Sequence, residues 1–231
     1  NYESKTEDYS FSIVDRDLNH WTHPWLRNYE CGISYINSKG GFNKIYAHQI
    51  SLDYKNRDVL IPTGRYKYVN LRGLYRSKAF KEKLEEIRKS KGKEWLYKYS
   101  YCRRTLVSDK YKFNKAGFAN FDDINNFAYE VLTRCREIAE ILSKRFPLII
   151  VDECQDLSWI EIQVLNIFKN NGTKLHFIGD LDQSIFEFKR VDPSDTIEFV
   201  EDFERMKITD NFRSCQPIVD LSKKIINSSK K

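Results

Sequence analysis

The sequence is poor in the residues that punctuate a chain, with 9 glycines and 5 prolines in 231 residues. That scarcity excludes collagen-like and low-complexity repeats. The five cysteines, Cys31, Cys102, Cys135, Cys154 and Cys215, are odd in number, widely spaced and never form a C-x-x-C pair. They argue against a disulfide framework or a zinc knuckle and predict a reducing, cytoplasmic setting. No apolar run approaches the roughly 20 residues that a bilayer crossing needs, and no signal peptide is visible, so no membrane partner is expected. Also missing is any G-x-x-x-x-G-K-[ST] loop, a backbone cradle for phosphates. The Gly92, Lys93 pair lies in a charged stretch and lacks the preceding glycine. The chain opens on Asn1 rather than on methionine, which predicts a piece of a longer polypeptide. What is present, 41% hydrophobic residues, is enough for one medium core or two small ones.

The net charge of +6 is unevenly spread: residues 61–120 hold 17 Lys or Arg against 5 Asp or Glu, so the remainder is mildly acidic. Aromatic rings interleave with these cations at Tyr66, Tyr68, Tyr75, Trp95, Tyr97, Tyr99, Tyr101 and Tyr111. Cations that track phosphates, alternating with rings that stack on bases, are what single-stranded nucleic-acid binding requires. The same pattern describes a solvated helix beside strands whose tyrosines pack on a half-buried face, and composition leaves both readings open.

Periodicity divides the chain. The first seventy or so residues carry short alternating runs, CGISYI and KIYAHQISLDY, around a glycine turn at NSKGG, which predicts antiparallel strands. Lys78 to Lys91 holds good helix formers with acids and bases three and four apart, the pattern of an exposed helix. Ile124, Phe127, Ala128, Val131, Leu132, Cys135, Ile138, Ala139 and Leu142 recur at helical spacing and predict one amphipathic helix from about Asp122 to Lys144. After Pro147, the continuous run Leu148, Ile149, Ile150, Val151 predicts a strand buried on both faces. Ser158 and Glu161 form a capping box that opens a helix to about Lys169, and NNGT leads into a second buried strand, LHFIG. Strand, helix, strand implies a parallel β–α–β unit and an α/β fold class. A short apolar piece near Met206 to Thr209 precedes a helix beginning around Ser214, with Pro217 in its first turn.

The chemistry gathers where those strands end. VDECQD places Asp152 and Glu153 at the carboxyl end of the first strand, where open α/β sheets bind ligands. Two adjacent acids there can divide labour, Asp152 holding a magnesium ion and Glu153 taking a proton from an attacking water. The second strand ends in GDLDQSIFEF, so Gly179, Asp180 and Gln183 emerge on the same edge. A neutral amide such as Gln183 can bond a terminal phosphate and lose that bond after hydrolysis. TDNFRSCQPI offers Arg213 as a fork for a transferring phosphoryl group and Phe212 as a flat apolar platform. Each piece alone is equally a polar loop, a turn-capping amide or a helix cap.

VDECQD, GDLDQSIFEF and NFRS, in this order and at these spacings, resemble motifs II, III and IV of the UvrD, Rep and PcrA group of superfamily 1 DNA helicases. GFANFDDINNFAYEVL leading into FPLIIVDE is similar to the helix that precedes motif II there. The resemblance covers roughly residues 116–231, while the first 115 match only in position. It implies a partial RecA-like parallel-sheet motor core with a basic, partly β accessory subdomain. Residues 1–115 would be the 1B-like subdomain, residues 116–209 part of domain 1A, and residues 210–231 the start of domain 2A. It implies ATP and Mg2+ as cofactors, with Asp152 on the metal and Glu153 activating water. Gln183 would sense the γ-phosphate, Phe212 stand where a ring stacks on adenine, and Arg213 reach the γ-phosphate. Gln155, Asp156 and Asp180 would couple the ATP site to the DNA-binding motif. Phe186 and Phe188 would lie against bases, with Lys189 a basic contact nearby. Phe188 replaces the family's usual tryptophan, and Lys189, Arg190, Val191 stand where Arg, Gly, Ala is usual.

The implied partners are single-stranded DNA and single-strand/duplex junctions, with a nuclease or repair protein as a further partner. Without the phosphate loop or motifs V and VI, the chain as written is not expected to hydrolyse ATP efficiently. Two explanations compete: the central portion of a longer helicase, itself alone or part of a nuclease or defence complex, or a non-catalytic nucleic-acid-binding or scaffold module on a degenerate motor. His20, His23 and Cys31 can be drawn as metal ligands, but packing or surface roles are expected for them. Cys154 reads as a small filler, and His176 as a satisfied core histidine.

Overall fold

The computed structural model describes residues 12–16, 23–36, 42–64, 67–78, 80–82, 85, 98–180, 193–208 and 210–229. The chain divides into two compact units, residues 1–139 and 140–231.

The first unit pairs short strands with one long helix. Strands β2 (Glu30–Ile36) and β3 (Phe42–Tyr46) are antiparallel, as the alternating runs predict, although the NSKGG turn lies outside the described residues. Strands β4 (Ser51–Asp53), β5 (Asp58–Gly64) and β6 (Lys67–Asn70) form a second antiparallel sheet in that order. Its first turn is closed by Asp53, whose Oδ1 accepts the Asn56 amide at 2.9 Å. A two-residue strand, β1 (Ser12–Ile13), runs parallel to β7 (Phe118–Ala119). Helix α1 (Leu71–Arg76) is capped by Asn70, and Asp58 accepts the Arg72 amide at 2.8 Å. Residues 78, 80–82 and 85 are helical, in keeping with the expected exposed helix; the rest of that stretch lies outside the described residues.

Helix α2 (Tyr99–Lys115) explains why this unit closes. Cys102, Leu106, Lys110 and Phe113 fall on one face and are buried, packing with Leu26, Ile33, Ile45, Ile50, Val59 and Ile61 in a single core. Lys110 survives in that row because its ammonium lies 2.7 Å from Asp123 and donates to the Ala47 carbonyl at 3.1 Å. Helix α3 (Phe121–Arg134) begins at a reciprocal cap. Asn120 Oδ1 accepts the Asp123 amide at 3.0 Å, and Asp123 Oδ2 accepts the Asn120 amide at 2.8 Å. The single helix expected to run to Lys144 is instead two: α3 ends at Cys135 (φ −113°, ψ 83°) and α4 (Arg136–Arg145) follows. Neither proline nor glycine marks this break, which is why spacing alone carries the helix through it.

The second unit holds the β–α–β element. Strands β8 (Leu148–Val151) and β9 (Lys174–Phe177) are parallel in the register Leu148–Lys174 to Val151–Phe177, joined by helix α5 (Trp159–Asn170). The cap at Ser158 forms as predicted, Glu161 Oε2 accepting the Ser158 amide at 2.7 Å. Gly172, at φ 92°, makes the turn into β9 that a β-carbon would strain. Helix α6 (Pro193–Val200) packs on α5, with Phe177 edge-on to Phe199 and Phe203. Helix α7 (Gln216–Ser229) carries Pro217 in its first turn.

Two expectations fail here for one reason. β8 is not covered on both faces: Ile149 and Val151 are half-buried, whereas Leu148 and Ile150 are exposed, Ile150 by 60%. His176, the register partner of Ile150, is likewise exposed rather than a core histidine. A continuous apolar run reports what a strand needs to bury, and the described residues cover one face. The Met206 to Thr209 piece forms no strand among its described residues, and Met206 and Ile208 are exposed.

Candidate active site

Strand β8 delivers Asp152 and Glu153 beyond its carboxyl end, where both side chains are exposed. The chain turns sharply at Glu153, which adopts a left-handed backbone at φ 51°, ψ 44°. Among the described residues only Arg57 shares a positive φ without being glycine. Such a conformation in a residue with a β-carbon costs about 1–3 kcal/mol and is held by its surroundings. Three bonds hold it: the Glu153 amide donates to Asp152 Oδ1 at 2.9 Å, the Asp156 amide to the Glu153 carbonyl at 2.9 Å, and the Leu157 amide to the Cys154 carbonyl at 3.2 Å. The last two close a single helical turn over Cys154–Asp156.

The two strand ends are stitched together past the sheet. The Ile178 amide donates to the Val151 carbonyl at 2.8 Å, and the Cys154 amide returns to the Ile178 carbonyl at 3.0 Å. Gln155, 2% exposed, completes the seam. Its Nε2 donates to Glu153 Oε2 at 2.5 Å, and its Oε1 accepts the Asp180 amide at 3.0 Å. Gly179 fits beneath: a β-carbon there would lie 2.5 Å from Gln155 Oε1 and 2.6 Å from Cys154 Sγ. Cys154 is half-buried, and burial pushes its thiol above the ordinary range, which suits packing and not nucleophilic attack.

The structure thus brings together Asp152, Glu153, Gln155 and Asp180, with Asp156 half-buried at the end of the turn. Gln183, Phe186, Phe188 and Lys189 lie outside the described residues. Phe212 is 95% exposed and Arg213 is exposed, on a turn in which Asn211 Oδ1 accepts the amides of Arg213 and Ser214 at 2.8 and 3.0 Å. The link from Gln155 to Glu153 is not legible in the sequence as a bond, and the one signal for it is a glycine directly after an apolar strand.

Among the described residues no three His, Cys, Asp or Glu side chains converge as a metal cage. Magnesium suits the site in another mode, since it commonly takes one or two carboxylates and fills its shell with water and phosphate oxygens. Asp152 and Glu153, both exposed at the strand end, are carboxylates of that kind. Cys31 is buried in the first unit's core with its thiol pushed up by burial, His23 is exposed, and His20 lies outside the described residues. A groove of about 490 Å³ between α5 and α6 is lined by Asp195, Glu198, Glu201 and Asp202 with Lys169, a charge balance that repels an anionic nucleotide.

The basic stretch separates into two kinds of tyrosine. Tyr75 packs edge-on to Phe80 and Tyr99, the Tyr99 hydroxyl donates to Asp58 at 2.8 Å, and Tyr68 lies under Arg16. Tyr101 and Tyr111 are exposed on α2 together with Arg104, Lys112 and Lys115. Tyr66, Trp95 and Tyr97 lie outside the described residues.

The parallel strands β8 and β9 joined by α5, with paired acids on the turn after the first, make this unit α/β. The chain belongs to the UvrD/REP helicase N-terminal domain family, whose profile matches residues 34–204. It is 30% identical over 114 residues to YjcD of Bacillus subtilis (strain 168), which carries the name of an ATP-dependent DNA helicase; the match covers 48% of this chain and 15% of that protein. It is 31% identical over 108 residues to an ATP-dependent helicase/nuclease subunit from Carboxydothermus hydrogenoformans, covering 46% of this chain and 9% of the relative. The protein of the same name from Staphylococcus aureus (strain bovine RF122 / ET3-1) is 29% identical over 173 residues, 66% of this chain and 14% of the relative. The chain therefore aligns with a small fraction of these relatives' length. Among the described residues no helix is long and apolar enough to cross a membrane.

Proposed function

We propose that these residues form the central part of an ATP-dependent DNA helicase that couples ATP hydrolysis to movement along single-stranded DNA and to duplex unwinding. The observation that carries this reading is the acid pair Asp152 and Glu153 at the end of β8, tied through Gln155 to Asp180 at the end of β9. On this reading residues 1–115 are a basic accessory subdomain that contacts DNA, residues 116–209 belong to a RecA-like first motor domain, and residues 210–231 open the second. Glu153 accepts the proton of the attacking water, a general-base role worth about 10²–10⁴-fold in rate. Asp152 is the carboxylate for magnesium, and the ion supplies neutralisation of the phosphate charge when bound with ATP. Gln183 reads the γ-phosphate, Arg213 stabilises charge on the transferring group and Phe212 stacks on the adenine. Asp156 and Asp180 couple that chemistry to Phe186 and Phe188 against the bases and Lys189 against the backbone. The substrates are single-stranded DNA and its junctions with duplex, in a cytoplasmic setting.

The test is ATP hydrolysis by the longest natural polypeptide containing these residues, with and without single-stranded DNA. Glu153→Gln is expected to abolish DNA-stimulated turnover and to spare ATP binding. Unchanged turnover would remove Glu153 from the role of base, and salt-sensitive DNA binding without any hydrolysis would favour a non-catalytic module. Two relatives whose names describe helicase/nuclease subunits favour a second reading, the helicase component of a helicase/nuclease complex. DNA degradation by the same polypeptide with its co-purifying partners distinguishes that case.

A further inference from the structure

We infer that Gln155 is the positioning residue for Glu153, and that the missing side chain at Gly179 is the condition for it; this rests on the reading of Glu153 as general base. A neutral amide can donate to a carboxylate and accept from a backbone N–H at the same time, and Gln155 does both, to Glu153 at 2.5 Å and from Asp180 at 3.0 Å. Its burial keeps water from competing for either bond. Glu153 needs such a tether because its left-handed backbone takes the side chain out of the direction that strand β8 would give it. An aliphatic residue at 155 would release the carboxylate and remove the acceptor that Gln155 offers the Asp180 amide.

Gly179 is required for space and not for conformational freedom, since its backbone is not left-handed. A β-carbon would come within 2.5 Å of Gln155 Oε1, 2.6 Å of Cys154 Sγ and 3.2 Å of the Cys154 amide nitrogen. The Cys154 amide is held by the Ile178 carbonyl at 3.0 Å, so the backbone does not retreat. The Cys154 thiol can rotate away. The Gln155 amide can move only by leaving the Asp180 amide, and its Nε2 then leaves Glu153. Whatever displaces the loop after β9 at residues 179 and 180 therefore changes the aim of Glu153 without touching substrate.

The experiment measures DNA-stimulated ATP hydrolysis by the longest natural polypeptide containing these residues, comparing Gln155→Leu, Gly179→Ala, the two combined, and Glu153→Gln. Each single variant at positions 155 and 179 is expected to lose about 10- to 100-fold in kcat, the scale of an ångström-level misplacement of a catalytic group. KM for ATP should move by less than about 3-fold, because ground-state binding does not use the tether. The combined variant should fall no further than the worse single one, since both changes strike one amide. Losses that multiply, or a KM that rises as far as kcat falls, would overturn the inference. Should Gly179→Ala not fold, Gln155→Glu, which keeps the shape and removes the donor, carries the same expected split. Turnover by Glu153→Gln would sink the general-base reading itself. An inactive Glu153→Gln beside Gln155→Leu and Gly179→Ala at parental kcat would sink only the positioning role.

Discussion

Each unit contains a hydrogen-bonded network around a carboxylate, and the two differ in where the network stops. In the first unit, Asp123 is 1% exposed and faces Lys110 at 2.7 Å, and both are enclosed by Asn120, whose Nδ2 donates to the carbonyls of His48 and Ile50 at 3.1 and 3.0 Å. Burial pushes the Asp123 carboxyl up and the Lys110 ammonium down from their ordinary values, and their mutual attraction opposes both shifts. In the second unit, Gln155 is buried but the carboxylates at the end of its network are in solvent. A network closed at every end fixes the packing of α2 against α3 and offers nothing to a ligand. One that is anchored inside and open outside presents a reactive group with a defined aim. The apolar residues divide less sharply: one core closes in the first unit although Ile13, Phe121 and Val131 are exposed there, and the second buries Ile162, Leu165 and Leu175 while Leu148, Ile150, Ile218, Leu221 and Ile225 are exposed.

The comparison breaks most visibly at Lys110. Replacing it with Ala strands a buried carboxylate, so stability of the first unit should fall by about 3–5 kcal/mol, read as lost hydrogen-exchange protection over residues 98–134. Lys110→Met combined with Asp123→Leu should recover most of that loss, because it removes both charges. It should remain about 1 kcal/mol short, since Asp123 also caps α3. Full recovery would mean that the cap contributes nothing. If Lys110→Ala proves as mild as a surface change, the pair is not dry in solution.

Truncating apolar residues sharpens the contrast between the cores. Phe113→Ala, at a ring that is fully buried against Tyr29 and Phe118, should cost about 3–5 kcal/mol in denaturant unfolding. Ile150→Ala, on the bare face of β8, should cost under about 1 kcal/mol. Equal costs would show that the bare face of β8 is covered in solution.

What the sequence discloses follows the range of each signal. Local chemistry is legible: the cap at Ser158 and Glu161, the turn at Gly172, the parallel strands around α5 and the acids at their carboxyl end all arise from neighbours in the chain. Burial is less so, because an apolar run such as Leu148 to Val151 states a demand and not whether a partner meets it. The break at Cys135 carries no proline or glycine, so periodicity passes over it. Lys110 is invisible as a core residue because its justification lies thirteen residues away in Asp123 and far away in Ala47. Gln155 stands out only through the family resemblance, and its bond to Glu153 depends on a left-handed turn that no propensity predicts.

The smallest expected difference lies between the two helix caps, and it isolates burial from cap chemistry. Ser158→Ala removes the hydroxyl bond to Glu161 at 2.6 Å and leaves the Ser158 amide still donating to the same carboxylate at 2.7 Å, so about 1 kcal/mol or less should be lost. Asn120→Ala removes the same kind of cap and also the donor that serves the His48 and Ile50 carbonyls inside the protein. Those acceptors have no access to water, which brings the expected loss to about 2–3 kcal/mol. Paired thermal unfolding of the two variants, followed by hydrogen exchange at the start of α3 and of α5, checks the difference. Equal losses would mean that water reaches the Asn120 site, and the contrast between a closed network and an open one would then rest on Lys110 alone.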